Sequence, residues 1–217
     1  MNIEQARFNM IEQQIRPWDV LAADVLDLLQ VVKRENFVPE AYKALAFADV
    51  ELPLPGGAYM LAPKIEARLL QDLNLKKHEN VLEIGAGSGY MAALLAHKAR
   101  HVTTVEVSPE LKALAEKNLA DNGVTNVMVE LGNAAQGWST GAPFDVIVVS
   151  GSLPELPPAL LQQLSIGGRL VVIIGASPAM KAQLITRTGE AGYDTRTLFE
   201  TDVKPLASAV APLKFTF

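Results

Sequence analysis

The stretch Val81-Leu82-Glu83-Ile84-Gly85-Ala86-Gly87-Ser88-Gly89-Tyr90 decides the fold. Val81 to Ile84 is an apolar run carrying one acid, as a buried strand would be. Three glycines at alternate positions follow, and Met91-Ala92-Ala93-Leu94-Leu95-Ala96 then reads as helix. A strand, a tight turn and a helix N-terminus in that order make a place for a ligand with polar and anionic parts. The N–H groups of a first helical turn have no partner inside the helix and face the ligand. Glycine is needed where the turn demands positive φ and where a Cβ would hold the backbone away from the ligand. Spacing discriminates between ligands. The dinucleotide fingerprint G-x-G-x-x-G would need its third glycine where Tyr90 stands. The pattern here is E-x-G-x-G-x-G, with its acid, Glu83, at the strand end.

A second acid supports a nucleoside site. Val102-Thr103-Thr104-Val105 reads as the next strand, and Glu106 ends it. In a βαβ unit, an acid after the second strand can accept hydrogen bonds from both ribose hydroxyls. The plain alternative is a glycine-rich turn with an incidental surface glutamate. Strand, helix, strand and acid in order favour the nucleoside site.

Composition narrows the class. At 217 residues, 49% hydrophobic and 20% charged, the chain is expected to be globular and a single domain spanning 1–217. No apolar run is long enough for a bilayer, and the first twenty residues lack a basic-then-apolar signal pattern, so a soluble cytoplasmic protein with no membrane partner is expected. With no cysteine, disulfides, thiolate metal sites and a cysteine nucleophile are excluded. His78, His97 and His101 have no metal-ligand spacing, so no metal is expected. A net charge of −5 without a basic run argues against a nucleic-acid partner.

Outward from the glycine turn, the chain alternates. Residues 2 to 15 carry Ile3, Phe8, Met10, Ile11 and Ile15 at roughly helical spacing, and Arg16-Pro17 should end that helix. Asp19 or Asp24 is expected to cap a second helix through Val25, Leu28, Leu29 and Val32, and a short helix follows from Glu40 to Leu45. Leu52-Pro53-Leu54-Pro55-Gly56-Gly57 cannot be regular helix or central strand, and an irregular segment over residues 49 to 62 is a functional candidate. Pro63 opens a helix with an Ile65, Leu69, Leu73 stripe, placing Lys64 in its first turn.

Downstream of Glu106, Ser108-Pro109-Glu110 starts a helix that Asn122-Gly123 ends. Strands are expected at Val127 to Leu131, Phe144 to Val149 and Arg169 to Ile174, with a short helix from Pro158 through Leu164. A helix from Pro178 to about Thr188 and strand-like segments at Thr195 to Val203 and Leu213 to Phe217 complete the expected order. The pattern predicts an α/β fold, a doubly wound, mostly parallel sheet of about seven strands, Rossmann-like, with an N-terminal helical extension. Residues 1–60 form the helical and loop region packed on a core of residues 61–217. Strand order at the far edge of the sheet and oligomeric state are left open.

The E-x-G-x-G-x-G turn resembles the nucleoside-binding motif of class I S-adenosylmethionine (AdoMet) methyltransferases, which would make 61–217 an AdoMet-binding core. More of the chain, from about Val25 to about Leu206, is similar to the protein-L-isoaspartate (D-aspartate) O-methyltransferase family. The matching residues are Arg34-Glu35-Asn36-Phe37-Val38-Pro39, Leu45-Ala46-Phe47-Ala48-Asp49, Leu52-Pro53-Leu54 and the glycine turn, extended by Pro143-Phe144-Asp145, Gln163-Leu164 and Gly167-Gly168-Arg169-Leu170-Val171. The resemblance implies carboxyl O-methylation of a peptide or protein, with isoaspartyl residues as the family's substrate. It also implies that Glu83, Gly85, Ala86 and Gly87 line the methionine and ribose part of AdoMet and that Glu106 holds the ribose hydroxyls. Asn133-Ala134, standing for the family's Gly-Asp-Gly, would lie near the adenine, and Ser150 beside the methyl donor.

One segment departs from the family. Its catalytic-site pattern is Thr-x-Ser-x-Pro-His, and the same register reads Tyr59-Met60-Leu61-Ala62-Pro63-Lys64. Leu61 stands for the serine and Lys64 for the histidine. The two exchanges predict weak or absent turnover of isoaspartyl peptides with AdoMet binding intact. Methyl transfer from a sulfonium is an in-line displacement, and alignment alone is worth up to about 7–11 kcal/mol. A carboxylate acceptor is already ionised and needs an oriented partner rather than a base; Lys64 is the expected donor, against a solvated first-turn lysine. Other readings remain: an AdoMet-dependent methyltransferase with a different small-molecule or protein acceptor, an NAD-dependent oxidoreductase, opposed by Tyr90, and a non-catalytic module binding AdoMet or a protein partner, which would tolerate Leu61 and Lys64.

Overall fold

The computed structural model describes residues 2–207 and 209. Helix α1 (Ile3–Met10) starts at Asn2, whose side chain accepts the Gln5 N–H. It does not end at Arg16-Pro17. Ile11–Ile15 continues as a π-helical turn and Arg16–Trp18 as a 3-10 turn, with Arg16 still helical at φ −58 and ψ −43. A proline near the start of a new turn loses no hydrogen bond, and the chain reverses only at Asp19, left-handed at φ 60. Neither Asp19 nor Asp24 caps α2 (Ala23–Val31). Its N-cap is Ala22, and Gln71 Oε1 accepts the N–H groups of Leu21 and Ala22 instead.

A 3-10 turn over Glu40–Leu45 precedes β1 (Leu52–Pro53), which pairs antiparallel with β2 (Tyr59–Met60) across a Pro55–Gly57 turn. Helix α3 (Pro63–Leu73) buries Ile65, Leu69 and Leu73, as their spacing requires. Then follow β3 (Asn80–Ile84), α4 (Tyr90–Lys98), β4 (His101–Glu106), α5 (Pro109–Asp121), β5 (Val127–Leu131), β6 (Phe144–Leu153), α6 (Pro158–Gln162), β7 (Leu164–Ala176), β8 (Ala179–Arg187) and β9 (Tyr193–Thr201).

The seven-stranded sheet runs β5-β4-β3-β6-β7-β8-β9. Its first five members are parallel, and β8 and β9 close it antiparallel. The helix expected from Pro178 to Thr188 is therefore strand β8. Its Ala, Met, Lys and Gln favour helix locally, but Met180 and Ala182 alternate with exposed neighbours, a period of two that suits a hairpin on β7. Residues 213–217, expected as a strand, lie outside the described residues. Among those residues, no helix is long and apolar enough to cross a membrane.

Alternate residues of the central strands feed two cores. Val81, Val102, Val146 and Val148 pack with α2, α3, α4 and α5 on one face. Leu82, Ile84, Ile147 and Val149 pack with α6 and residues 134–135 on the other. The chain leaves β3 in one direction through β4 and returns in the other through β6. Open sheets of this kind receive ligands outside the carboxyl ends of their strands at such a reversal.

Candidate active site at the β3–β6 switch point

The glycine turn joins β3 to α4. Gly85, Gly87 and Gly89 have φ of +92, +53 and +84, values that side-chain-bearing residues rarely adopt. All three are also confined by space, Gly87 by Leu54 Cδ1, which a Cβ would meet at 3.2 Å. A Cβ on Gly85 would meet Leu206 Cδ2 at 2.7 Å, and one on Gly89 would meet the Ala115 carbonyl of α5 at 3.2 Å. The turn is thus a strained loop clamped between α5 and residue 206.

Two acids serve this turn differently. Glu106, 5% exposed at the end of β4, accepts the Gly87 N–H through Oε2 and the Ser108 N–H through Oε1, both at 3.0 Å. It ties the glycine turn to the start of α5, and each carboxylate oxygen keeps a lone pair for a ligand hydroxyl. Glu83, fully buried at the end of β3, accepts the Ser150 hydroxyl through Oε1 at 2.7 Å. Its Oε2 has no partner, and neither does the hydroxyl of Thr104, its register partner on β4. Burial pushes the Glu83 carboxyl up to about 8, with the Ser150 hydroxyl opposing and the charges of Glu66 and Glu106 adding to the rise.

These groups line a cleft of about 580 Å³, part of it open to solvent, within the size range of ligand pockets. Its floor is Ile84, Gly85, Gly87, Val105 and Glu106; its walls are Glu51, Ala58, Tyr59 and Leu61 on one side and Ser150, Gly151 and residues 204–207 on another. Pairing of β6 with β7 lapses between Val148 and Ser152, a bulge that frees Ser150 and Gly151 to face the cleft. A smaller chamber beneath it, lined by Leu61, Glu66, Glu83, Ala86, Tyr90 and Ser150, reaches toward the helical region.

Of the residues singled out from the sequence, Gly85, Gly87, Glu106, Ala134, Ser150 and Leu61 meet at the cleft, and Glu83 and Ala86 line the chamber. Asn133 does not join them. It is exposed, and its Oδ1 accepts the Ala135 N–H at 3.0 Å in a local turn. Lys64 also lies elsewhere. Its ammonium pairs with Asp49 at 2.6 Å and sits 4.9 Å from the Trp18 ring centroid, so the donor expected for an acidic acceptor faces the N-terminal region.

Sequence reading missed the strap over residues 203–206. Ser152 N–H donates to the Lys204 carbonyl at 3.1 Å, Leu206 N–H to the Ser152 carbonyl at 3.0 Å, and the Ser152 hydroxyl to the Val203 carbonyl at 2.8 Å. The strap follows the last strand of the sheet and reaches the cleft only through tertiary pairing, which leaves no local pattern to find.

The Arg34-to-Pro39 segment has a physical role. Arg34, 1% exposed, pairs with buried Glu66, donates to the carbonyls of Ala46 and Leu61 at 3.1 and 2.8 Å, and lies 5.1 Å from the Tyr90 ring. One guanidinium therefore fixes the backbone of Leu61 against the first residue of α4. Burial raises Glu66 to about 7 in spite of Arg34. The Tyr90 hydroxyl is buried without a partner, and burial pushes its pKa upward.

Comparison with known proteins accords with this geometry. The family described as Protein-L-isoaspartate(D-aspartate) O-methyltransferase (PCMT) matches residues 5–210. A protein-L-isoaspartate O-methyltransferase of Koribacter versatilis (strain Ellin345) is 41% identical over 191 residues, 88% of this chain and 85% of its own length. Among solved structures, a protein-L-isoaspartate O-methyltransferase superposes with a TM-score of 0.78 at 25% identity, covering 92% of this chain and 65% of that one. A putative protein-L-isoaspartate O-methyltransferase from Plasmodium falciparum, in complex with S-adenosyl-L-homocysteine, gives 0.79 at 21% identity, covering 96% and 99%; at that identity the likeness speaks for the fold alone. A match over residues 5–210 together with 41% identity over most of both chains settles kinship: the chain belongs to the protein-L-isoaspartate(D-aspartate) O-methyltransferase family.

Proposed function

We propose that this protein methylates a carboxylate on a protein or peptide, the free α-carboxylate of an isoaspartyl residue, with AdoMet as donor. Family membership makes the chain an AdoMet-dependent methyltransferase. What carries the residue assignments is the pairing of a glycine turn held open by positive φ with an acid already fixed at the end of the second strand. The donor set suits AdoMet: a carboxylate with lone pairs to spare for a ribose diol, exposed backbone at Gly85 and Gly87, and a buried, unpartnered Glu83 Oε2 able to face a cationic group.

Glu106 would hold the ribose hydroxyls, Gly85 and Gly87 the backbone side of the nucleoside, and Ala134 the apolar side near the adenine. Ala86 and Glu83 would face the methionine part from the chamber. When bound, AdoMet supplies a methyl group already activated on a sulfonium. The chain's own task is then alignment and exclusion of water. Leu206 and Leu61 supply apolar walls on either side of Ser150, and the clamped glycine turn fixes where the donor can lie. No proton need move, because the acceptor carboxylate enters ionised.

The test is transfer of labelled methyl to an isoaspartyl peptide and to its parent aspartyl peptide. Label in the first and not the second is the expected result. Label in neither, with AdoMet bound, would refute the acceptor.

A further inference from the structure

Neither residue at the family's catalytic-pattern positions is placed to orient an anion in the cleft. Leu61 offers no hydrogen bond, and the Lys64 ammonium is spent on Asp49 and Trp18, away from the opening. The cleft also carries two acids, Glu51 and Glu106, so an arriving carboxylate meets like charge unless a cation answers it. Among the described lining residues there is one cation, Lys204.

We propose that Lys204 anchors the acceptor carboxylate, taking the part for which Leu61 and Lys64 are unsuited. The proposal rests on the carboxyl-methyltransferase reading above and adds the residue that orients the acceptor. Lys204 belongs to the strap, whose backbone is fixed on both sides. Its N–H donates to Glu51 Oε1 at 3.2 Å, and its carbonyl accepts the Ser152 N–H at 3.1 Å. The main chain is rigid there while the side chain stays exposed.

The ammonium lies 5.8 Å from the centroid of the Tyr59 ring, so the side chain sits beside the segment that contains Leu61. Among the described residues it forms no ion pair within 4.0 Å; Glu51 Oε1 accepts the Lys204 backbone N–H instead. A lysine stationed on an aromatic face at the mouth of an otherwise acidic cleft is placed to meet an anion.

Glu51 explains why the cation is needed. It lines the same wall, and its pKa is raised by burial, with the Lys204 N–H and ammonium opposing and Asp202 adding to the rise. An acceptor carboxylate beside Glu51 would be repelled without Lys204. Selectivity follows as well: a neutral acceptor of the same shape gains nothing from the ammonium.

The experiment compares wild type, Lys204→Ala and Lys204→Arg in steady-state methylation of an isoaspartyl peptide, with AdoMet affinity measured by calorimetry for each. The expected result for Lys204→Ala is a rise of about tenfold in the peptide KM, with kcat and AdoMet Kd within about twofold and Lys204→Arg restoring most of the KM. An unchanged KM in Lys204→Ala, in an enzyme whose wild type is active, would overturn the anchor and leave the methyltransferase reading standing. So would a loss of AdoMet affinity, which would make Lys204 a cofactor or structural residue. If all three proteins bind AdoMet and none methylates the peptide, the isoaspartyl acceptor and its anchor fall together.

Discussion

Glu106→Gln separates the two tasks assigned to this residue. In the free protein the carboxylate accepts the Gly87 and Ser108 N–H groups, each at 3.0 Å, from a site only 5% exposed. Glutamine has one acceptor oxygen, so one of those N–H groups must face an amide N–H. That loss exists with and without ligand, and it therefore appears in stability: about 1 kcal/mol, or about 2–4 °C in Tm for a chain of this size. Hydrogen bonds to a ribose diol exist only in the complex and therefore appear in affinity. Replacing a charged acceptor by a neutral one there costs about 1–3 kcal/mol, roughly a 5- to 150-fold rise in the AdoMet Kd. Calorimetry with AdoMet and S-adenosylhomocysteine gives the second quantity, and thermal melts of the free protein give the first. A lowered Tm with an unchanged Kd would make Glu106 a loop anchor and refute the ribose assignment. Tighter binding of NAD than of AdoMet would refute the nucleoside reading altogether.

Leu61→Ser, which restores the hydroxyl of the family pattern, is expected to raise kcat/KM on isoaspartyl peptides while costing about 2–3 kcal/mol of stability, because Leu61 is 4% exposed. Lys64→His alone should leave kcat/KM unchanged, since Lys64 faces Asp49; a large effect in peptide assays would contradict its placement. Glu83 gives a pH signature. Its carboxyl keeps its proton to about 8 in the folded protein against the usual glutamate value of 4.5 in the unfolded chain, so between those values the folded state binds the extra proton. Its contribution to stability is therefore present in acid and is lost as pH rises from about 4.5 through about 8. Glu83→Gln should flatten the Tm-versus-pH curve of the free protein over that window, leaving the shorter Glu66 contribution, which ends near 7, and that of Glu51, whose pKa is also raised. A curve that Glu83→Gln leaves unaltered would mean that Glu83 is ionised in the fold.

Legibility from sequence followed the range of the forces involved. The glycine turn, Glu106 and the Ser108 cap are local features, set by φ, by strand ends and by unpaired N–H groups, and each is where its residue types imply. Residues 179–187 misled because their helical propensity is local whereas their pairing with β7 and β9 is not. Arg16 is helical before a proline because the π and 3-10 turns absorb the steric conflict, an adjustment invisible in residue types. Lys64 shows the same limit at the site. Its position in the first turn of α3 was readable, but its partners Asp49 and Trp18 are brought to it by the N-terminal region. Lys204 reaches the cleft only because Ser152 pins the strap to the end of β6.

Carboxyl methylation is tested most directly by the chemical stability of the transferred label. The protein is incubated with methyl-labelled AdoMet and an isoaspartyl peptide, and the isolated product is exposed to mild base. Methyl esters hydrolyse there, whereas methylated amines and ethers do not. Release of the label as volatile methanol, leaving a peptide that carries no label, is the expected result. Label that survives base would place the methyl on nitrogen or on a hydroxyl, and would contradict a carboxylate acceptor at this site.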